Sequence, residues 1–469
     1  MLGMPQSIAI LVLVGPDAVI FASEYGTSKD RKEHRLSTTE ISYNTVVINN
    51  TLLYVVSYPV SKAPAMVGAW QDPGLIVSTR LAESLFPYIK NTTEMLWTGG
   101  LSDLPSPTWL AETSAHQALK ERICLLMDHS IIRQDFSTTK TEDVFLYQTG
   151  MAAIYWTYQA AITRRPGTIL VLGAVNHNTF HLLRCSKSKF KHFGQVDGDN
   201  DQLNRVEAWL DEEAAAGRAA NKHNFVLVVD ETIGSFYNVD VAPAADAIVT
   251  SLTKTFSGYA DVMAGSVILS SSSPRYGALA KIFKLRFRNE LFSLDATHLL
   301  KNNNDYLTRS AALNRNAASL AAYLHSQAVN SKSPVTDVLY PPYSSTFANY
   351  AKFQRPSTPD YSSGYGCLLS VNFKTQKSAE AFFDNLHFHG GPHLGAHRTL
   401  AIPFNATVWG SDVDEYPYHV GYGLREAQIR ISVGLEETDE LLQTVREACW
   451  HAERPKNHVL THGFGGTSH

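Results

Sequence analysis

The chain is short of cysteine and has no long apolar run, and each shortage narrows what it can be. Its four cysteines, Cys124, Cys185, Cys367 and Cys449, are scattered over 469 residues with no CxxC pair. That spacing fits reduced thiols in a cytoplasmic protein rather than a disulfide framework. No run of 18 apolar residues occurs, so no membrane-spanning helix is expected. Residues 8–14 are apolar, but no basic residue precedes them and Gly15-Pro16-Asp17 interrupts them, so they do not read as a secretory signal. The formal net charge is only -4, which argues against a nucleic-acid or membrane partner.

The residues that are present suffice for a large core. Apolar residues make up 44% and charged residues 18%, a balance that excludes global disorder. The length suggests two to four domains. The first hundred or so residues carry apolar pieces at 45–49 and 52–58 between polar patches, with no firm periodicity and no motif. They are set apart as an atypical N-terminal region, 1–110.

From Asp143 a regular pattern begins. Short apolar strands are expected at 144–147, 168–172, 225–229, 247–250 and 266–269. A helix opens at Gly150. Another covers 201–214, with Leu203, Val206, Trp209 and Leu210 on one side. Alternating strands and helices predict an α/β domain with a mainly parallel sheet, over 111–328. A long helix is expected next, at 302–326. Residues 331–360, rich in Ser, Pro and Tyr, read as a connector. Strands at 367–373 and 427–433 and helices at 378–386 and 437–452 predict a small α+β domain at 329–455. Residues 456–469 read as a flexible tail.

The chemistry concentrates where two of these strands end. Lys254 lies in Ser251-Leu252-Thr253-Lys254, directly after an apolar strand, and Asp230 ends the strand before it. A lysine can bond the aldehyde of pyridoxal 5'-phosphate (PLP), and an acid at a neighbouring strand end can hold its pyridine nitrogen protonated. Ligands in α/β folds gather at such carboxyl ends. An average loop lysine is merely solvated, and a strand-end aspartate is often a cap, so the pair matters more than either residue. Ser251 and Thr253 offer hydroxyls to a phosphate. Gly150 and Met151, at a strand-to-helix junction, offer free backbone N–H groups at a positive helix end, with Gln148 and Thr149 as helpers. Arg430, alternating with Ile429 and Ile431, is either an exposed strand residue or a clamp for a substrate carboxylate. His387, His389, His393 and His397 cluster, with Asp384 the only nearby acid; a polar loop explains them better than a metal site.

Together these stretches resemble the Cys/Met-metabolism, or trans-sulfuration, family of PLP enzymes, in particular its fungal cystathionine γ-synthase branch. The resemblance rests on residues 144–154 (VFLYQTGMAAI), 229–236 (VDETIGSF), 251–265 and 428–436, supported by 364–366 and 390–395. It covers roughly 140–455. It implies an aspartate-aminotransferase-like (type I) PLP fold, a homodimer or homotetramer, and γ-replacement, or β- or γ-elimination, on small amino acids. Carried over, Lys254 is the Schiff-base lysine and proton shuttle, Asp230 the partner of the pyridine nitrogen, Gly150, Met151, Ser251 and Thr253 the phosphate ligands, and Arg430 the carboxylate ligand. The expected reaction is γ-replacement on an O-acylhomoserine by a thiol such as cysteine. A carbon nucleophile, C–S bond cleavage and a degenerate non-catalytic homologue are the alternatives.

The chain departs from the family in three places. The Tyr-x-Arg motif that reaches a neighbouring subunit's phosphate is missing; Ser106-Pro107-Thr108 only echoes the Asn-Pro-Thr that family members carry just after it. About thirty residues, one strand and a crossover helix, are absent between Arg218 and Asn221. The usual ring-stacking tyrosine is replaced near Asn176-His177, and a family serine before Leu-Gly is His393. Loss of an interior strand should leave open sheet edges.

Overall fold

A computed structural model describes residues 7–28, 34–96, 99–129, 131–132, 138–164, 167–194, 200–215, 225–359, 361–409, 420 and 424–455. The chain divides into two units, Met1–Ala311 with Ser345–Gly366, and Ala312–Ser344 with Cys367–His469.

The first unit opens with β1 (Ile8–Leu13), α1 (Pro16–Thr27), β2 (Ser42–Ile48), β3 (Thr51–Pro59), α2 (Ala63–Gln71), α3 (Thr79–Leu85) and β4 (Thr93–Leu96). The strands form one antiparallel sheet in the order β1-β3-β2-β4. Asn49 and Asn50, at φ +46° and +62°, join β2 to β3 in the left-handed pair of a tight hairpin, which asparagine tolerates. The region in which the sequence shows no firm periodicity is therefore regular. Its central strand hides the signal, because every residue from Leu53 to Tyr58 is buried and no alternation survives.

Next come α4 (Ser114–Met127), β5 (Val144–Tyr147), α5 (Gly150–Arg164), β6 (Ile169–Leu172), α6 (His177–Arg184), β7 (Phe190–Phe193), α7 (Asn200–Ala215), β8 (Val228–Asp230), α8 (Ser235–Asn238), β9 (Ala247–Ser251), β10 (Gly265–Leu269), α9 (Tyr276–Arg286) and α10 (Ser293–Asn302). The sheet order is β5-β10-β9-β8. β8 and β9 are parallel, and β10 runs against both β9 and β5, so β5, β8 and β9 point one way. Both faces are covered. Phe145 and Tyr147 join a core with Val249, Val267 and the N-terminal residues Leu13, Tyr54, Val56 and Met66. Val144 and Leu146 face a second core with Ile248, Ile268, Leu119, Ile123 and Phe256. Each such buried side chain contributes about 2 kcal/mol of apolar transfer. The N-terminal layer shares the first of these cores. On α7 Val206 is buried, whereas Leu203, expected on the same side, stays exposed.

Among the described residues β8 pairs only with β9, and β6 and β7 form a separate parallel pair. Among the described residues β8 therefore has one free side, with Val228 exposed on it, and Leu172 is exposed on β6. The junction at 218–221 lies outside the described residues, as do 456–469.

α11 (Tyr306–Ala328) runs from the first unit into the second. The stretch expected to be a connector holds β11 (Val335–Leu339) and α12 (Phe347–Phe353); short elements amid Ser, Pro and Tyr leave little periodic signal. β12 (Leu368–Phe373), α13 (Gln376–Asp384), β13 (His389–Gly390), β14 (Leu400–Ile402), α14 (Phe404–Val408), β15 (Gln428–Ser432) and α15 (Thr438–Ala452) complete the second unit. Its sheet runs β11-β12-β15-β14-β13. Leu369, Val371, Ile429 and Ile431 bury its core, and α13 packs on α15.

Candidate active site

Because β5, β8 and β9 share a direction, their carboxyl ends and the start of β10 fall on one edge of the sheet. Gly150, Met151, Asp230, Ser251, Thr253 and Lys254 all lie at that edge. Two glycines bring the pieces into contact. A Cβ on Gly150 would lie 2.6 Å from Ser251 Cβ and 2.7 Å from Ser251 Oγ. A Cβ on Gly265 would lie 2.3 Å from the Thr149 carbonyl oxygen. Any larger residue would push the end of β9 away from the first turn of α5.

That first turn keeps two donors open. Thr149 Oγ1 accepts the Ala152 N–H at 2.9 Å, and the Thr149 carbonyl accepts that of Ala153 at 3.2 Å. No described residue accepts the N–H groups of Gly150 and Met151, which point out of the positive end of a helix of 15 residues. With the Ser251 hydroxyl alongside, this turn could hold an anion such as a phosphate. Gln148 is buried beside Glu290, whose carboxyl is pushed up to about 7 by burial while it accepts the Trp156 indole N–H at 3.2 Å.

Asp230 ends β8 opposite Val249 of β9. The residue is exposed, with protein packed around its carboxyl. Burial pushes its carboxyl up, offset by hydrogen bonds from Thr232, whose N–H donates to Oδ1 at 3.1 Å. Thr232 Oγ1 in turn accepts the Ser251 N–H at 2.9 Å, so Asp230 and the Lys254 loop are tied together. A cationic ring nitrogen beside Asp230 would favour the ionised carboxylate.

The loop that carries Lys254 is a closed turn. The Lys254 N–H donates to Ser251 O at 3.2 Å, and its carbonyl accepts the Gly258 N–H at 2.8 Å. Lys254 itself is half-buried. The Thr253 hydroxyl donates to Ala264 O at 3.2 Å and accepts the Ala264 N–H at 3.0 Å, so it staples the loop to β10. Its one proton is committed there, which leaves Ser251 as the hydroxyl beside Gly150. Gly258 has φ +78°, and a Cβ there would lie 1.9 Å from Arg309 Nη1.

Two residues of this site escaped the sequence. Arg309 is buried behind the loop and donates to Thr255 O at 2.6 Å, Asn302 O at 3.2 Å and Asp305 Oδ1 at 3.2 Å. It lies 55 positions from Lys254, in a helix with no motif. Glu231 is buried next to Asp230, and burial lifts its carboxyl to about 8 despite the Arg355 guanidinium. Thr250 Oγ1 donates to it at 3.3 Å. Its signal was visible: a second acid directly after a strand-end aspartate.

Asn176 and His177 open α6, which packs on α5; Thr179 Oγ1 lies 3.6 Å from Met151 Sδ. His177 Nε2 and His181 Nε2 are 2.9 Å apart. Arg430 belongs to the second unit, on β15 between Ser370 of β12 and Ile402 of β14. It donates to Pro392 O and stacks 4.0 Å from the Phe404 ring centroid, and burial lowers its pKa to about 10. His389 lies on β13, with Arg398 Nη1 at 3.3 Å. Among the described residues no three His, Cys, Asp or Glu are grouped to hold a metal.

A family model for Cys/Met metabolism PLP-dependent enzymes matches residues 211–449. The chain belongs to that family. It is 31% identical to alanine racemase ungC of Aspergillus violaceofuscus over 443 residues, covering 86% of this chain and 74% of that one. It is 27% identical to the cystathionine gamma-synthase-like enzyme iboG1 of Amanita muscaria, covering 86% and 77%. Among solved structures, cystathionine gamma synthase of Xanthomonas oryzae pv. oryzae aligns with a TM-score of 0.57 at 20% identity, over 74% of this chain and 87% of that one. The fold is that of these PLP enzymes, and PLP is the cofactor of the family.

Proposed function

We propose that this chain is a PLP-dependent enzyme that exchanges the γ-substituent of an O-acylhomoserine for a thiol such as cysteine. One observation carries the reading: the Lys254 loop, the exposed carboxylate of Asp230 and the start of α5, with the Gly150 and Met151 N–H groups open, converge on one edge of the sheet. PLP, when bound, supplies an electron-withdrawing ring conjugated to the substrate amine. Gly150 and Met151 donate their N–H groups, and Ser251 its hydroxyl, to the phosphate. Asp230 keeps the ring nitrogen protonated. Lys254 would hold the cofactor aldehyde, and its Nζ, when free, would take the α-proton and then move a proton at the β-carbon. Arg430 pairs with the substrate carboxylate. The acyl group leaves as a carboxylate and the thiol takes its place.

The open β8 edge supports one second reading, a homologue that holds the cofactor without turnover. Incubation with O-acetyl- or O-succinylhomoserine and cysteine separates the two. Cystathionine formed by the wild type and not by Lys254→Ala is the expected result. Bound cofactor with no consumption of either ester would leave the second reading standing, and release of a 2-oxo acid without cysteine would assign elimination instead.

A further inference from the structure

We infer that the turn at Gly74, in the N-terminal layer, is a positioning element of the phosphate end of the cofactor site. The inference rests on the proposed place of the phosphate at the start of α5. Thr149 is the residue that shapes that start, and its hydroxyl has one proton. That proton goes to the Gly74 carbonyl at 2.9 Å, while the same oxygen accepts the Ala152 N–H. A residue 75 positions upstream thus fixes the rotamer of the cap beside Gly150.

The contact is steric as well as polar. Gly74 has φ +63°, and a Cβ on it would lie 2.2 Å from Thr149 Oγ1, 2.7 Å from Met151 Cβ and 3.0 Å from the Ala152 nitrogen. All three atoms belong to the cap and first turn of α5. The turn cannot easily retreat. Leu75 and Ile76 are buried, and Ile76 bridges to Leu13 of β1. Two residues on, the Ser78 hydroxyl donates to Asp295, and Arg80 donates to Asp261 O at 3.0 Å and to Asp295 Oδ1 at 3.1 Å. A side chain at position 74 must therefore move the helix start, including the two N–H groups that face the phosphate. The N-terminal layer has in this a part in cofactor binding and not only in covering the sheet.

The test compares PLP with pyridoxal, which lacks the phosphate, by titration of the visible band of the lysine-bound aldehyde. Gly74→Ala in the full chain should weaken PLP and leave pyridoxal nearly unchanged, so the affinity ratio falls roughly tenfold, the loss of about 1.4 kcal/mol. General destabilisation would weaken both ligands alike and leave the ratio intact, which overturns the inference. Should Gly74→Ala not fold, Thr149→Val and Thr149→Ser decide: valine removes the link to Gly74 and must lower the ratio, and serine, keeping the hydroxyl, must restore it. A valine ratio equal to wild type overturns the inference too. Wild-type protein that binds neither aldehyde sinks the function proposed above, and the Gly74 inference with it.

Discussion

Replacing Glu231 by glutamine should make the protein more stable in alkali and change it little in acid. Burial raises the Glu231 carboxyl from 4.5 to about 8. Between those values the folded chain holds a proton that the unfolded chain releases. Stability must then fall as pH rises through this window, because the native state binds more protons than the unfolded one. At 1.36 kcal/mol per pH unit, the full loss is on the order of 5 kcal/mol. The glutamine variant mimics the protonated acid and does not titrate, so subtracting the two stability curves removes every other group. Urea unfolding at a series of pH values reads the difference. Near pH 5 the two proteins should agree within about 1 kcal/mol, the size of an ordinary hydrogen-bond change. The variant's advantage should then grow to several kcal/mol by about pH 9. A difference that stays flat from pH 5 to 9 would refute the reasoning. It would mean that Glu231 is ionised throughout, paired with Arg355.

The geometry sets two further outcomes. Gly258→Ala forces a Cβ against the buried Arg309 guanidinium at a positive φ. It should destabilise the protein by about 3 kcal/mol, counting overpacking and backbone strain, with a loosened Lys254 loop; a loss under about 1 kcal/mol in urea unfolding would show that Arg309 swings aside freely. Val228→Lys places a charge on the open β8 edge and should slow concentration-dependent aggregation, monitored by light scattering, with a stability change within about 0.5 kcal/mol; unchanged aggregation would show that this edge is not the sticky one.

The candidate site was more legible in the sequence than its supports, for a physical reason. Asp230, Ser251 and Lys254 are close in the chain and sit at strand ends, where local pattern and chemistry coincide. Gly150 and Met151 were legible because a strand-to-helix junction advertises its free N–H groups. Gly74 and Arg309 act through contacts made only when distant segments meet, whereas Glu231 showed as a second acid beside Asp230 and only its burial was hidden. The N-terminal sheet was unreadable for the opposite reason: β3 is buried on both faces, so its six central residues show no alternation. Arg430 was legible as a strand residue facing away from Ile429 and Ile431, but what it binds depends on more than its own strand.

Everything proposed for this site depends on Lys254 carrying the cofactor. The direct measurement is peptide mass spectrometry after incubation with PLP and reduction with borohydride, which fixes the cofactor wherever it is bonded. A pyridoxyl group on Lys254, lost in Lys254→Ala, is the expected result. A pyridoxyl group on another lysine, with Lys254 unmodified, would contradict it.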